Sequence, residues 1–210
     1  MKWPVEKRTI VMVLLAILVL ALINNFVSRQ QYNDLTKNIS SIYKDRLIPA
    51  SYIFQMNGLL YQKQLLLQAM PAEAASAQLN QHNAEISRII EAYEATYLTK
   101  EEKQQWESFR QHLKDYNEAE GLYSSSVEYT HKNNLQLSFD KALQSLKQLN
   151  ETQTSEGMRL QNESKSIINS TIIQAYLEVS FLFILGIIGL MLLTASEKVV
   201  YPVSHRYLHN

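Results

Sequence analysis

The sequence predicts an all-α protein: an antiparallel up-down-up-down four-helix bundle set between two transmembrane helices. Three observations carry that expectation. Two stretches are apolar over a bilayer's thickness, glycine and proline are scarce, and the segment between the stretches repeats apolar residues every three or four positions. Only 5 Gly and 4 Pro occur in 210 residues, whereas sheets and tight turns need more of both. The absence of cysteine excludes disulfide frameworks, thiolate metal sites and cysteine nucleophiles. Zero net charge gives no basic face for nucleic acid.

The first span is residues 9–27, TIVMVLLAILVLALINNFV, 19 residues without a charge. At helical rise it covers about 28 Å, close to one hydrocarbon core. The second is residues 177–195, with Glu178 at the interface and an uncharged run after it. Trp3 and Tyr201 flank one pair of ends, Phe26 and Tyr176 the other, as interfacial aromatics do. Lys2, Lys7 and Arg8 precede the first span and Lys198 and Arg206 follow the second. Residues 1–8 and 196–210 are therefore expected in the cytoplasm. No small-x-small cleavage site follows the first span, which reads as an uncleaved anchor. Residues 28–176 then lie outside the cytoplasm, with 15 basic and 17 acidic side chains. A cysteine-free exported domain fits a bacterial periplasm, and the inner membrane is the expected location.

Within residues 28–176 the breaks are few. Pro71 ends the first helix, expected over 28–70. Thr99-Lys100-Glu101-Glu102 is a capping box that separates helices expected over 72–97 and 100–133. His131-Lys132-Asn133-Asn134 is read as the third break, before a fourth helix over 135–176. Each helix carries an apolar stripe, for example Ile53, Met56, Leu60 and Leu67 on the first, or Trp106, Phe109, Leu113 and Tyr116 on the third. Such a stripe must face other helices. The short turns make neighbours antiparallel.

Shortly after the first span stands Ile42-Tyr43-Lys44-Asp45-Arg46-Leu47-Ile48-Pro49. It resembles the I-Y-x-D-R-L-x-P motif of the four-helix-bundle sensing domains of bacterial methyl-accepting chemotaxis receptors. Tyr43, Asp45, Arg46 and Pro49 carry the match, and the likeness covers the arrangement from the first span to the second. The resemblance implies a dimeric sensor of small molecules that moves its second membrane helix. Those receptors continue into a HAMP linker and a signalling coiled coil. Here residues 196–210, SEKVVYPVSHRYLHN, offer only the opening of such a linker, so a stand-alone sensor is expected.

Polar residues interrupt the stripes at two heights. With helices one and four aligned at their distal ends, Arg46 falls level with Arg159, between Glu156 and Glu163. Two readings follow: a buried ion pair that fixes register, or an anion site built on the guanidinium fork. The two carboxylates favour the pair. Nearer the tip, Lys63, His82 and Glu120 share a height, either as receivers of a small carboxylate or as a self-satisfied trio. Beyond Pro49 helix one has Lys63 alone among cations, against the several arginines of known amino-acid receptors of this type. Tyr93, Tyr97, Trp106, Phe109 and Tyr116 read as core. Glu128 and His131 make one Glu-x-x-His, where a di-iron bundle needs two copies and two further glutamates. His205 and His209 lack the glutamate of a zinc helix. Gly186 and Gly189 are three apart, which is not the GxxxG spacing.

No nucleophile–base pair and no phosphate loop is present, so neither an enzyme nor a cofactor is expected. The leading expectation is a periplasmic sensor, homodimeric, that detects a small molecule or envelope state and relays it through its second membrane helix to a partner. The alternative is a non-sensing scaffold in an envelope complex.

Overall fold

The structure, a computed structural model, describes residues 5–125 and 129–195. Five α-helices and one π-helical turn account for them, with no strand among the described residues. Helix α1 is Val5–Ser41, followed without a break by a π-helical turn, Ile42–Leu47, and by α2, Ile48–Ala69. Helices α3, Ala72–Glu94, and α4, Lys100–Ser125, precede a single long α5, Tyr129–Ala195. Two compact units result: residues 36–164, and residues 1–35 with 165–210.

The unit of residues 36–164 is built on the stripes. Ile53, Met56, Leu60 and Leu67 of α2 are buried with Leu79, Ile86 and Tyr93 of α3. Trp106, Phe109, Leu113 and Tyr116 of α4 and Phe139, Ala142, Leu146 and Leu149 of α5 complete one cluster. Each fully buried large side chain contributes about 1.5–3 kcal/mol, which holds helices that are individually polar on their other faces. Tyr93 and Trp106 stack with ring centroids 4.2 Å apart, and Trp106 leans on Phe109 at 5.3 Å.

Pro49 explains the π-helical turn. Its ring would strike the carbonyl four residues back, and it has no N–H to offer that carbonyl. Widening the preceding turn relieves both problems, and the Ile48 N–H bonds the carbonyl of Tyr43, five residues back. The widened turn coincides with the family-like motif, residues 42–49.

The capping box forms as expected. The Thr99 N–H donates to Glu102 Oε2 at 2.6 Å, and the Glu102 N–H donates to Thr99 Oγ1 at 3.2 Å. Three expectations need correction. Helix α3 ends at Glu94 rather than at residue 97, which leaves Tyr97 64% exposed and outside the aromatic core. The apolar spacing of the first helix also takes in Ile39 and Met70, which would be buried on that pattern but are exposed. The third break, expected at His131–Asn134, is not there: these residues lie inside α5. Asparagine is only a mild helix breaker, and no glycine or proline stands there to stop the chain.

The unit of residues 1–35 and 165–210 has the opposite pattern. Leu14, Leu15, Leu18 and Leu22 of α1 and Phe183, Leu190 and Met191 of α5 are exposed. Half-buried positions include Asn24, Ser28 and Gln31 on α1 and Thr171, Gln174 and Glu178 on α5, beside the apolar Val13, Ile17 and Leu185. Large apolar side chains exposed over such a length are unfavourable in water and favourable in lipid. Two helices are long and apolar enough to cross a membrane. A methyl group on Gly186 or Gly189 would meet no heavy atom within 4 Å, so no close approach within the chain requires either glycine. Trp3, Glu128, Lys198, Tyr201, Arg206, His205 and His209 lie outside the described residues.

Replacing Glu102 by alanine removes half of the capping box and leaves a buried guanidinium unpaired. The expected loss is about 3–5 kcal/mol, against about 1 kcal/mol for Thr99→Ala, which loses the cap alone. Denaturant unfolding of both variants checks the difference; equal losses would mean that the capping box alone matters.

Candidate functional site

Two polar clusters cross the core of residues 36–164. The first is centred on Arg46, which the π-helical turn directs inward, leaving it 6% exposed. Its Nη1 donates to Glu102 Oε1, in a pair with no solvent access on the carboxylate side, and to Gln153 Oε1 at 3.2 Å. Gln153 Nε2 in turn donates to the Tyr93 hydroxyl at 3.5 Å. The π-helical turn, α3, α4 and α5 are thus joined at one level by four side chains. Because the other oxygen of Glu102 holds the Thr99 N–H, one carboxylate serves both the cap and the ion pair. Arg46 Nε is buried without a hydrogen-bond partner. Burial pushes the Tyr93 phenol up to about 12, with smaller and opposing effects of Gln153, Glu102 and Arg46.

Glu156 and Glu163, expected beside Arg46, belong to α5's outer surface. Both bind Arg159, Glu156 through Nε at 3.1 Å and Nη2 at 2.9 Å, Glu163 through Nη1. The register of α5 is the reason. Arg46 meets Gln153, Tyr61 meets Phe139 at 5.4 Å, and Gln64 meets Gln136 at 2.9 Å, the register of a helix that already runs through His131–Asn134 rather than one counted from residue 135. The sequence did hold a signal for the true partners. Glu102 precedes Trp106, Phe109, Leu113 and Tyr116 at four- and three-residue steps, and Gln153 follows Leu146 and Leu149 in the same rhythm.

The second cluster is centred on Lys63, which is fully buried. Its ammonium donates to Asn83 Oδ1 and, at 3.0 Å, to Asn117 Oδ1. It lies 2.7 Å from Glu120 Oε2 and 4.8 Å from the centre of the Tyr116 ring. Two carboxamide oxygens accept from the ammonium and one carboxylate offsets its charge, with a ring face beneath. Lys63 and Glu120 therefore come together as their shared height required, but His82 is not among the ammonium's partners. It stays half-buried with Nδ1 lacking a hydrogen-bond partner. Asn83 and Asn117 escaped sequence reading because both lie beside the stripes rather than on them. Burial lowers the Lys63 ammonium from its ordinary value, and Glu120 partly restores it. A groove of about 880 Å³ runs between α3 and α4 with Asn83 and Asn117 in its wall.

The other unit has a polar cluster of its own. Asn24 Nδ2 donates to Glu178 Oε2, and Gln174 Nε2 donates to Asn24 Oδ1. Thr171 Oγ1 donates to Gln31 Oε1 at 2.8 Å. A groove of about 350 Å³ borders the first three residues.

Among family models, the four-helix-bundle sensory module for signal transduction matches residues 2–168. The match includes the motif at 42–49, both core clusters and the whole of α1 to α4. No curated protein and no solved structure matches the chain.

Tyr93 gives a solution test of the first cluster. A phenol raised from 10.0 to about 12 stays protonated in the folded chain where the unfolded chain has lost its proton. Its stabilisation is thus complete below pH 10 and is lost as pH rises through about 12. Tyrosinate absorbance of the folded protein should show a late-titrating group that Tyr93→Phe removes; an unchanged titration would place Tyr93 in contact with solvent.

Proposed function

The chain belongs to the four-helix-bundle sensory modules of signal transduction, and from that membership we propose a membrane-anchored periplasmic sensor. In this reading the bundle is antiparallel, up-down-up-down, between two membrane spans, with both termini in the cytoplasm and residues 28–176 outside. A small molecule or envelope state acts on the bundle, and α5 carries the change to a partner's membrane helices. The continuity of α5 carries the argument. It runs from Tyr129 to Ala195 without interruption, so residues of the bundle core and of an apolar span belong to one helix.

Arg46, Glu102, Gln153 and Tyr93 act in this proposal as the polar core that holds α5 in register, and Lys63 with Glu120 as a second clasp. Neither Glu156 nor Glu163 takes part, since Arg159 occupies both. A buried ionic network suits a device with discrete states, because half-made arrangements leave charges unpaired. Homodimerisation has a surface to support it. Tyr43, Leu47, Phe54, Tyr61 and Leu65 are each more than half exposed, and they recur along one face of the π-helical turn and α2 at four- and seven-residue steps. An apolar stripe of this kind is matched to a second helix.

The cysteine-free sequence makes two tests clean. Gln68→Cys, at an exposed site, is expected to react with a membrane-impermeant maleimide added to intact bacterial cells; protection until lysis would overturn the periplasmic reading. Phe54→Cys is expected to form a disulfide-linked dimer under mild oxidation, and a chain that stays monomeric would refute the α2 interface. For sensing itself, a thermal-shift screen of the full chain should yield a compound that stabilises it. A ligand at a hundred times its dissociation constant adds about 2.7 kcal/mol. A flat screen on folded protein would favour a scaffold.

A further inference from the structure

The groove beside Glu178 has an amphipathic lining. At one end stand Asn24, Gln174 and Glu178; from there Leu20 and Ile17 continue along α1, and Phe181 and Leu182 along α5. Its volume of about 350 Å³ falls within the range of small-molecule sites, which are commonly apolar with a few convergent polar groups. Glu178 accepts from Asn24 on Oε2, and no Lys or Arg pairs with it among the described residues. Gln174 donates to the Asn24 carbonyl oxygen, which turns the Asn24 amide toward the carboxylate. The carboxylate is thereby oriented but not neutralised.

A carboxylate at the edge of an apolar span is costly without a counter-charge. Along α1 and α5 the polar residues stand nearer in sequence to residues 36–164 and the apolar ones farther into the apolar stretches, the same order as the head and tail of an amphiphile in one leaflet. We propose that this groove binds a single-chain cationic amphiphile, its ammonium on Glu178 and Asn24 and its alkyl chain along Ile17, Leu20, Phe181 and Leu182. One alkyl chain suits a groove of this size, and a two-chain phospholipid is far larger. The site gives the chain a ligand taken from the bilayer, independent of any ligand of the bundle.

The test uses the full chain in phosphatidylcholine nanodiscs, titrated with dodecylamine, dodecanol and dodecanoate, and read by native mass spectrometry and thermal unfolding. Dodecylamine is expected to bind one per chain and raise the Tm, with dodecanol and dodecanoate at least roughly tenfold weaker, as a charge-assisted contact requires. Glu178→Gln keeps the shape of the side chain and should reduce the amine to the level of the alcohol. Ala21→Trp fills the groove from its wall and should abolish binding with Glu178 intact. Equal binding of amine and alcohol to the wild type, or an amine affinity unchanged in both variants, would overturn the proposal. Co-purified phosphatidylethanolamine that dodecylamine does not displace would overturn the single-chain assignment. Each reading is independent of whether the bundle senses anything.

Discussion

The contact between Arg46 and Glu102 organises the core of residues 36–164. Both groups are withdrawn from water, so each needs the other: a lone buried charge costs several kcal/mol. Glu102 also closes the turn before α4, because its second oxygen holds the Thr99 N–H. The position of α4 is therefore tied to the π-helical turn through one carboxylate. Gln153 brings in α5 and, through the Tyr93 hydroxyl, α3. Apolar stripes permit helices to slide by a turn at little loss of burial. A directional network of this kind does not.

The motif at residues 42–49 acquires a physical meaning from this arrangement. Pro49 cannot continue an ordinary helix, and the chain accommodates it by widening the turn that precedes it. Arg46 is directed into the core by that turn, while Tyr43 and Leu47 remain outside at 60% and 57% exposure. A single local irregularity thus supplies an inward charge for the clasp and two outward apolar groups for the exposed stripe on α2. Proline and arginine are coupled in their effect although they are three residues apart.

The same long helices obey two opposite rules. Over residues 36–164 the core is apolar apart from the two clasps, and the exposed apolar groups include the stripe on the π-helical turn and α2. Over residues 1–35 and 165–195 many large apolar groups are exposed, while carboxamides, hydroxyls and one carboxylate are half-buried beside Val13, Ile17 and Leu185. Exposed leucines of this kind suit lipid as solvent, which gives no advantage to hiding leucine.

Much of this was legible without coordinates. Helical class, the two long apolar stretches, the Thr99–Glu102 capping box, the core stripes and the pairing of Lys63 with Glu120 each depend on residues close in sequence or on a period that sequence displays. The continuation of α5 through His131–Asn134 was not legible, since that stretch is polar enough to pass for a turn. That local ambiguity displaced the register of α5 and assigned Glu156 and Glu163 to Arg46. Composition and periodicity alone determined that this chain would be helical, amphipathic in two senses and free of cysteine chemistry. Which carboxylate meets Arg46, which amides surround Lys63 and what Glu178 faces were decided only by tertiary packing. A contact between helices depends on the summed lengths of everything between them, and an uncertain turn shifts every partner beyond it.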